Sequence, residues 1–238
     1  MAKSHYLPMD VDSFNKASFI PKKDYHANRL ISGLLQLSEG THLLLDETQM
    51  ANGELNPEGV RNLTALGMLI NWQKVEYNFS YHQLEFTMDV PCLVMSEGRS
   101  MLPNDAQLLL KPNDLVSAES VKESFGAVGC ALTIQLLEKL RKFLTVVRNL
   151  PFEVSDHVQK FVQEDFVSER QNGADRMTAQ DLHSHLVLAR LVALGHGLTT
   201  LEPDCWSKVK SMEKERRERM AHLPVRARPN GPLPGNVV

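Results

Sequence analysis

Two adjacent acidic residues at the end of an apolar run are the side chains in this sequence best suited to catalysis. The run His42–Leu45 is typical of a short buried strand, and Asp46 and Glu47 follow it directly. In P-loop ATPases an acid pair in this position, the Walker B pattern, holds Mg²⁺ with the first carboxylate and polarises the attacking water with the second. The same short pattern also arises by chance, so the alternative is a strand that ends in a solvated turn.

A phosphate-binding loop, the second half of such a site, is missing from the sequence. That loop ends in Gly-Lys-Ser/Thr, whose backbone amides and lysine hold the phosphates, and no Gly-Lys pair occurs in the 238 residues. We therefore predict a degenerate, inactive ATPase-like remnant without catalytic residues, metal ligands or cofactors. Two alternatives stay open: an ATP hydrolase completed by a missing N-terminal segment, and a DNA-binding replication factor that uses Arg226 and Arg228 near the end of the chain.

The overall charge and the cysteines argue against several other classes of function. The chain carries 26 basic and 29 acidic residues, a net charge of −3, so there is no excess of cations to neutralise nucleic-acid phosphates or a membrane surface. Direct nucleic-acid binding is therefore not expected. No apolar run approaches the length of a membrane span, which predicts no membrane association. Three widely spaced cysteines without metal-binding spacing favour a reducing compartment.

Changes in periodicity divide the sequence into four segments. Residues 1–25 have scattered apolar positions and two prolines, which predicts an irregular lead-in. Residues 26–112 mix helical and alternating patterns, as an α/β portion does, whereas residues 113–220 show helical periodicity. The proline-rich residues 221–238 are predicted to form a disordered tail.

Within these segments the spacing of apolar residues predicts individual elements. A helical turn is expected over Ala27–Leu37, and short strands are expected over Cys92–Met95 and Gln107–Leu110. The longer helices, each with helical spacing or a capping signal, are predicted over Gly59–Trp72, Leu132–Val147, Ser155–Phe166, Thr178–Ala193 and Glu202–Met220.

An alternating segment in the α/β portion predicts a β-hairpin. Apolar and polar residues alternate from Lys74 to Tyr81, and the alternation resumes from Leu84 to Val90 after a polar reversal. An aromatic hairpin without a lysine or arginine at its tip suits contact with a protein better than contact with DNA. The alternative is that the rings face the core and that the turn histidine is simply exposed. The residues predicted to contact a partner are Trp72, Tyr77, Phe79, Tyr81 and His82.

The order of these elements resembles the second half of the AAA+ domain of the MCM replicative helicases. The acid pair stands where that family has its Walker B strand, and Gln73–Val90 stands where it has the pre-sensor hairpin. The segments Leu140–Gln171 and Met177–Trp206 resemble its helical lid. The resemblance implies the α/β fold class, with a partial AAA+ (P-loop NTPase-like) core and β-hairpin followed by an α-helical lid subdomain.

Five short strings carry a closer resemblance, to the C-terminal part of the MCM (minichromosome maintenance) complex-binding protein family. It extends from about Ser18 to Arg217, and its most specific strings are Ser18–Tyr25, Ala27–Leu30, Asn71–Val75, Phe79–Gln83 and Ser96–Ser100. It implies a nuclear, non-helicase regulator that binds MCM helicase subunits and helps to assemble the replicative complex or to unload it from chromatin. DNA replication, cell division, mitosis and sister chromatid cohesion are the processes that such a role implies.

The departures from an active helicase agree with that implication. By the resemblance, the basic residue of the DNA-facing hairpin falls near Ser80, the trans-acting arginine finger near Pro103 and the lid arginine at Gln180. None of the three residues carries a charge. A hairpin without cations loses its main attraction for phosphate, and an arginine finger alone is worth about 10³–10⁵ in rate. The resemblance therefore implies no useful ATP hydrolysis.

Overall fold

A computed structural model describes four stretches of the chain, which are residues 3–50, 53–110, 117–172 and 177–221. These residues form seven α-helices, two small β-sheets and one short 3-10 turn, so the predicted mixed α/β class is confirmed. They fall into two compact units that divide between Ala106 and Gln107. In the described stretches, no helix is both long enough and apolar enough to cross a bilayer.

The first unit contains both sheets and two helices. Its elements in chain order are β1 (Ser4–Pro8), α1 (Val11–Lys16), β2 (Lys22–Asp24), β3 (Arg29–Ile31), β4 (His42–Asp46), α2 (Pro57–Trp72), β5 (Lys74–Asn78), β6 (Gln83–Thr87) and β7 (Cys92–Met95). The 3-10 turn spans Glu47–Gln49 and directly follows β4. One sheet is parallel with the strand order β1-β4-β7, and the other has the order β3-β2-β5-β6.

Strand β4, which carries the acid pair at its end, lies in the middle of the parallel sheet. Its Leu45 pairs with Leu7 of β1 on one side and with Val94 of β7 on the other. Side chains two residues apart in a strand point to the same face, and Leu43 and Leu45 are both fully buried on that face. The strands predicted before the acid pair and over β7 are thus present, and pairing on both sides fixes the position from which Asp46 emerges. The burial predicted for β7 is wrong, because Leu93 and Met95 are exposed and the two other residues are only partly buried.

The N-terminal segment is regular, so the prediction of an irregular lead-in over residues 1–25 is wrong. Strand β1 pairs along its whole length with β4, and Asp10 caps α1 by accepting a hydrogen bond from the Ser13 amide at 2.7 Å. The buried rings of Phe14 and Phe19 have centroids 4.8 Å apart. A five-residue strand and a six-residue helix are too short for periodicity to identify, and their regular structure depends on long-range pairing and packing.

Residues Ala27–Leu37 form strand β3 and an irregular turn, so the helical turn predicted there is wrong. The amide of Leu35 donates to the carbonyl of Phe19 at 2.9 Å, which ties this segment to a distant part of the backbone. Glycine at position 33 permits the approach, because a Cβ atom there would lie 2.4 Å from the Phe19 carbonyl oxygen. An apolar run cannot by itself distinguish a helix from a segment that pairs elsewhere.

The second unit is helical, and its core is formed by the last three of its five helices. These helices are α3 (Ala118–Ala131), α4 (Ile134–Asn149), α5 (Asp156–Asn172), α6 (Ala179–Gly195) and α7 (Pro203–Met220). The helices predicted for this half are confirmed. Thr178 and Asp181 exchange hydrogen bonds in a capping box that begins α6. Trp206 and Val209 of α7 are fully buried in one apolar cluster with Ala189 of α6.

The segment before α3 is irregular over Gln107–Leu110, so the strand predicted there is wrong. The carbonyl of Gln107 accepts a hydrogen bond from the guanidinium of Arg216 at 3.2 Å, a side-chain contact in place of strand pairing. The tail predicted over residues 221–238, with its two arginines, lies almost wholly outside the described residues.

Candidate functional site

The predicted hairpin is present, and one of its faces packs against the core of the first unit. Strands β5 and β6 pair antiparallel, with Tyr77 opposite Leu84 and Val75 opposite Phe86. Directly opposite residues share one face of a sheet, so these four side chains lie together. Val75 is buried, and Tyr77 is half-buried against the same core with its ring centroid 4.4 Å from that of Phe86. Tyr77 therefore supports the hairpin from inside.

The end of the hairpin presents a cluster of rings that we call the aromatic tip, formed by Tyr25, Phe79, Tyr81 and His82. The rings of Phe79 and His82 stack with centroids 5.1 Å apart and planes 4° apart. Tyr81 meets Tyr25 edge-on at 5.7 Å, and the hydroxyl of Tyr25 donates to the carbonyl of Phe79 at 2.8 Å. Ser80 turns the chain between the strands with a φ of 64°, in the left-handed region.

The aromatic tip has the exposure and the chemistry of a protein-binding surface. Tyr81 exposes 88% of its surface and Tyr25 exposes 50%, while their mutual contact holds both rings in place. Aromatic side chains that are already ordered lose less conformational freedom on binding, and tyrosines are frequent anchors of interfaces. The hairpin end Asn78–Gln83 contains no lysine or arginine, and the cation paired with it is Lys22 of β2, opposite Asn78.

The structure separates the predicted contact residues into three positions. The residues that come together at the aromatic tip are Phe79, Tyr81 and His82. Tyr77 faces the core, and Trp72 ends α2 with 67% of its surface exposed. Tyr25 was not predicted as a contact residue, because it follows β2 and belongs to no alternating pattern. Its only signal was its place in the string Ser18–Tyr25 that carries the family resemblance.

Asp46 of the acid pair is occupied by hydrogen bonds from its own chain. It is the N-cap of the 3-10 turn and accepts from the amide of Thr48 at 3.0 Å and from the hydroxyl of Thr48 at 2.6 Å. The hydroxyl of Tyr6 donates to its other oxygen at 2.5 Å. The hydrogen bonds from Thr48, and then that from Tyr6, lower the pKa of Asp46 because they favour the carboxylate. Asp46 therefore organises the turn that follows β4.

Glu47 is also built into the fold and is only 4% exposed. Its Oε1 atom accepts from the hydroxyl of Ser100 at 2.8 Å and from the amide of Met101 at 3.2 Å, so it ties the 3-10 turn to a loop that follows β7. Its Oε2 atom is buried without a hydrogen-bond partner among the described residues. The alternative of a solvated turn is wrong, since both acids are buried. In the stretches described, no three His, Cys, Asp or Glu side chains cluster as metal ligands.

Comparison with known proteins gives the family to which this architecture belongs. A sequence model of the family described as "Mini-chromosome maintenance replisome factor" matches residues 1–220. The chain belongs to this family. The match covers both units, from β1 through α7, and it confirms the resemblance on which the sequence analysis relied.

Individual relatives of the mini-chromosome maintenance replisome factor family agree across most of the chain. Proteins named "Mini-chromosome maintenance complex-binding protein" are 46% identical over 216 residues in Salmo salar and 44% identical over 217 residues in Homo sapiens. The protein of that name in Drosophila melanogaster is 42% identical over 221 residues. These alignments cover 91%, 91% and 93% of this chain but only 34%, 34% and 36% of the relatives. The chain thus spans about a third of the length of the curated relatives it matches.

Proposed function

We propose that this chain is a non-catalytic protein that binds the MCM complex. The observation that carries the proposal is the family match over residues 1–220, together with relatives named for binding this complex. We further propose that it acts in the nucleus during DNA replication, where it helps to assemble the MCM complex or to unload it from chromatin. The proposal rests on relatives that are about three times as long, so it concerns what this third of their length contributes.

Two features support a binding role without catalysis. Asp46 accepts hydrogen bonds from Thr48 and Tyr6, and Glu47 accepts them from Ser100 and the Met101 amide. In addition, the sequence has no Gly-Lys pair to hold a nucleotide phosphate. The parallel order β1-β4-β7, with an acid pair after the central strand, supports descent of the first unit from a partial AAA+-like core. In this proposal Asp46 and Glu47 are retained because their hydrogen bonds stabilise the fold.

The aromatic tip is the proposed contact with the MCM complex. It combines an 88% exposed tyrosine with rings that the hairpin already holds in position. The centre of a protein interface is depleted in charge and enriched in tyrosine and other aromatic residues, and the tip has this composition. Trp72, exposed at the end of α2, is a second proposed contact that belongs to a different element.

The test measures binding of the purified chain to an immobilised, purified MCM complex by surface plasmon resonance. Tyr81→Ala is expected to weaken binding about 30-fold, because truncation of an anchor residue typically costs about 2 kcal/mol. Its melting temperature should stay that of the wild type, since the side chain is exposed. The matched control is Leu191→Ala, which truncates an exposed apolar side chain on α6.

Different results separate the proposals. If the wild-type chain does not bind the MCM complex, the proposed function is wrong. If the wild type binds and Tyr81→Ala behaves like Leu191→Ala, the function stands and the aromatic tip is not the contact; Trp72→Ala then tests the second surface. Binding to duplex DNA that disappears with added salt would favour the DNA-binding alternative.

A further inference from the structure

The aromatic tip presents two tyrosine rings that the described part of the chain leaves open. Tyr81 exposes 88% of its surface and Tyr25 exposes 50%. Their planes meet at 72° with centroids 5.7 Å apart, so the face of one ring stands beside the edge of the other. The hydrogen bond from Tyr25 to the carbonyl of Phe79 holds this arrangement. The tip is therefore a fixed aromatic corner against which a small apolar ring is able to pack.

Residues that pack onto such rings are concentrated in the sequence beyond α7. The segment 222–238 contains four of the twelve prolines of the chain. Pro229 and Pro232 have the Pro-x-x-Pro spacing, and two arginines precede them. Segments with this spacing bind aromatic-lined surfaces as polyproline II helices, and arginine side chains stack on aromatic rings. Residues 226–234, which we call the proline segment, thus match the chemistry of the aromatic tip.

The attachment point gives the proline segment a long reach and a high local concentration. The structure describes the chain up to Ala221, which directly follows α7. Pro229 lies eight residues and Pro234 thirteen residues beyond Ala221. An extended chain spans at most about 3.4 Å per residue, so these prolines reach up to roughly 27 and 44 Å from Ala221. A ligand on a tether of this length has an effective concentration on the order of millimolar, which favours its own chain over a second copy.

We infer that the proline segment binds the aromatic tip of its own chain and acts as an internal ligand of that surface. The tip supplies the rings, and the segment supplies the prolines and an adjoining arginine. The bound segment covers Tyr25 and Tyr81 in the free protein and competes with any partner for them. The competition with the MCM complex rests on the proposed function, whereas the contact between segment and tip does not.

Charge gives no advantage to a different occupant of the tip. The sheet face that ends at the tip carries three cations and three acids, which are Lys22, Arg29, Lys74, Asp24, Glu76 and Glu85. This balance favours neither a strongly acidic nor a strongly basic partner. Nucleic acid would gain only the two arginines of the proline segment, and so few phosphate contacts give little affinity. Packing of prolines on rings needs no charge at all.

A photo-crosslinker in the full chain tests the contact directly. p-Benzoylphenylalanine in place of Leu233, between Pro232 and Pro234, is expected to crosslink to a peptide that contains Tyr25 or Tyr81. Tyr81→Ala should lower the yield of this crosslink about fivefold or more, and the matched control Leu191→Ala should not. A crosslink to any other part of the chain, or one unaffected by Tyr81→Ala, would overturn the inference.

Isotope labelling decides whose tail is bound. In an equal mixture of unlabelled and nitrogen-15-labelled chains, an internal ligand joins light segment to light tip and heavy segment to heavy tip only. Crosslinks that join a light to a heavy peptide would show that the segment binds a second copy, and the inference would be wrong.

The binding assay with the purified MCM complex tests the competition. A segment bound on about four fifths of the molecules weakens the apparent affinity for a competing partner about fivefold. Combined Pro229→Ala, Pro232→Ala and Pro234→Ala should therefore bind the MCM complex about fivefold more tightly than the wild type. The control, Val237→Ala combined with Val238→Ala, should bind like the wild type. In a Tyr81→Ala background the three alanines should have no effect, because the tip is already lost.

The outcomes separate this inference from the proposed function. If the wild type does not bind the MCM complex but the crosslink to the tip forms, the proposed function is wrong and the internal contact stands. If the wild type binds and no crosslink to the tip forms, only the inference falls. If the crosslink forms and the three alanines leave MCM binding unchanged, the segment does not compete with the MCM complex, and that part of the inference is overturned.

Discussion

Glu47 illustrates at the scale of single residues how a buried acid joins two segments of the chain. In a nucleotide hydrolase this position has to offer an oxygen to a water molecule. Here one oxygen accepts from Ser100 and Met101, and the other is buried without a partner among the described residues. A buried carboxylate oxygen without a hydrogen bond lowers the stability of the fold. The hydrogen bonds that the first oxygen accepts therefore have to offset this loss.

Substitutions of Glu47 separate these two effects. Glu47→Ala is expected to lower the free energy of unfolding by about 1–3 kcal/mol, because the Ser100 hydroxyl and the Met101 amide lose their acceptor. Glu47→Gln keeps an acceptor oxygen and removes the buried charge, so its stability should equal or exceed that of the wild type. Urea unfolding followed by circular dichroism measures both, with the exposed Glu54→Gln as the control. A Glu47→Gln variant less stable than Glu47→Ala would contradict this account.

At the scale of elements, helices α5 and α7 are joined by a network around Asp165. Its carboxylate accepts from the indole of Trp206 at 2.9 Å and from Lys210 at 2.8 and 2.9 Å, and Lys210 also pairs with Glu169 at 2.6 Å. Burial by itself raises the pKa of Asp165, but the hydrogen bonds from Lys210 and Trp206 outweigh it and lower the pKa. Burial alone lowers the pKa of Lys210, and its hydrogen bonds to Asp165 and Glu169 raise it.

These shifts predict a stability that depends on pH. Asp165 has a lower pKa in the folded state than its usual 3.8, so its contribution is complete above that value and is lost as pH falls through the folded pKa. Lys210 has a pKa raised above 10.5, so its contribution is complete below that value and is lost at higher pH. Asp165→Asn is therefore expected to cost about 1–2 kcal/mol at pH 7 and progressively less below about pH 4.

Denaturant unfolding from pH 7 to about pH 2, followed by circular dichroism, tests this expectation. The control is Glu164→Gln, at an exposed position of α5 next to Asp165, which should follow the wild type at every pH. A difference between the wild type and Asp165→Asn that stays constant down to about pH 2 would show that the carboxylate charge does not stabilise the contact between the two helices.

At the scale of the whole molecule, the part of the chain that the structure describes has two hydrophobic cores, one in each unit. The first includes Leu66 and Leu69 of α2, and the second includes Leu201 and Trp206. Each unit also contains one of the two tryptophans, since Trp72 belongs to the first and Trp206 to the second. The segment that matches the family, residues 1–220, therefore contains two separate hydrophobic cores.

Separate cores predict separate responses to core substitutions. In a Trp72→Phe background, the fluorescence of Trp206 reports only on the second unit. Leu201→Ala is expected to destabilise the transition seen by Trp206 by about 2–5 kcal/mol, whereas Leu66→Ala, a cavity of the same size in the first unit, should leave that transition unchanged. Equal shifts of the Trp206 transition by both substitutions would show that the two cores unfold as one.

Local patterns in the sequence determined those elements whose signals lie within a few residues of each other. The capping box of α6, the apolar stripe of α4 and the alternation of β5 and β6 were all readable, because helix and strand periods repeat over short distances. The family was readable from five short strings. The irregular lead-in, the helix over Ala27–Leu37 and the strand over Gln107–Leu110 were wrong, since these segments are short and take their structure from distant contacts.

Only the tertiary structure decided what the candidate residues do. It placed Tyr77 against the core while it left Tyr81 exposed, although both belong to the same alternating run. It placed Tyr25 in a hydrogen bond with Phe79, 54 positions away in the sequence. It also placed Ser100 in a hydrogen bond with Glu47, 53 positions away. Side-chain type and spacing specify what a residue is able to do. Its exposure and its hydrogen-bond partners depend on which distant segments of the chain the fold places beside it. For that reason the acid pair supports the fold, and the rings of the hairpin tip meet the solvent.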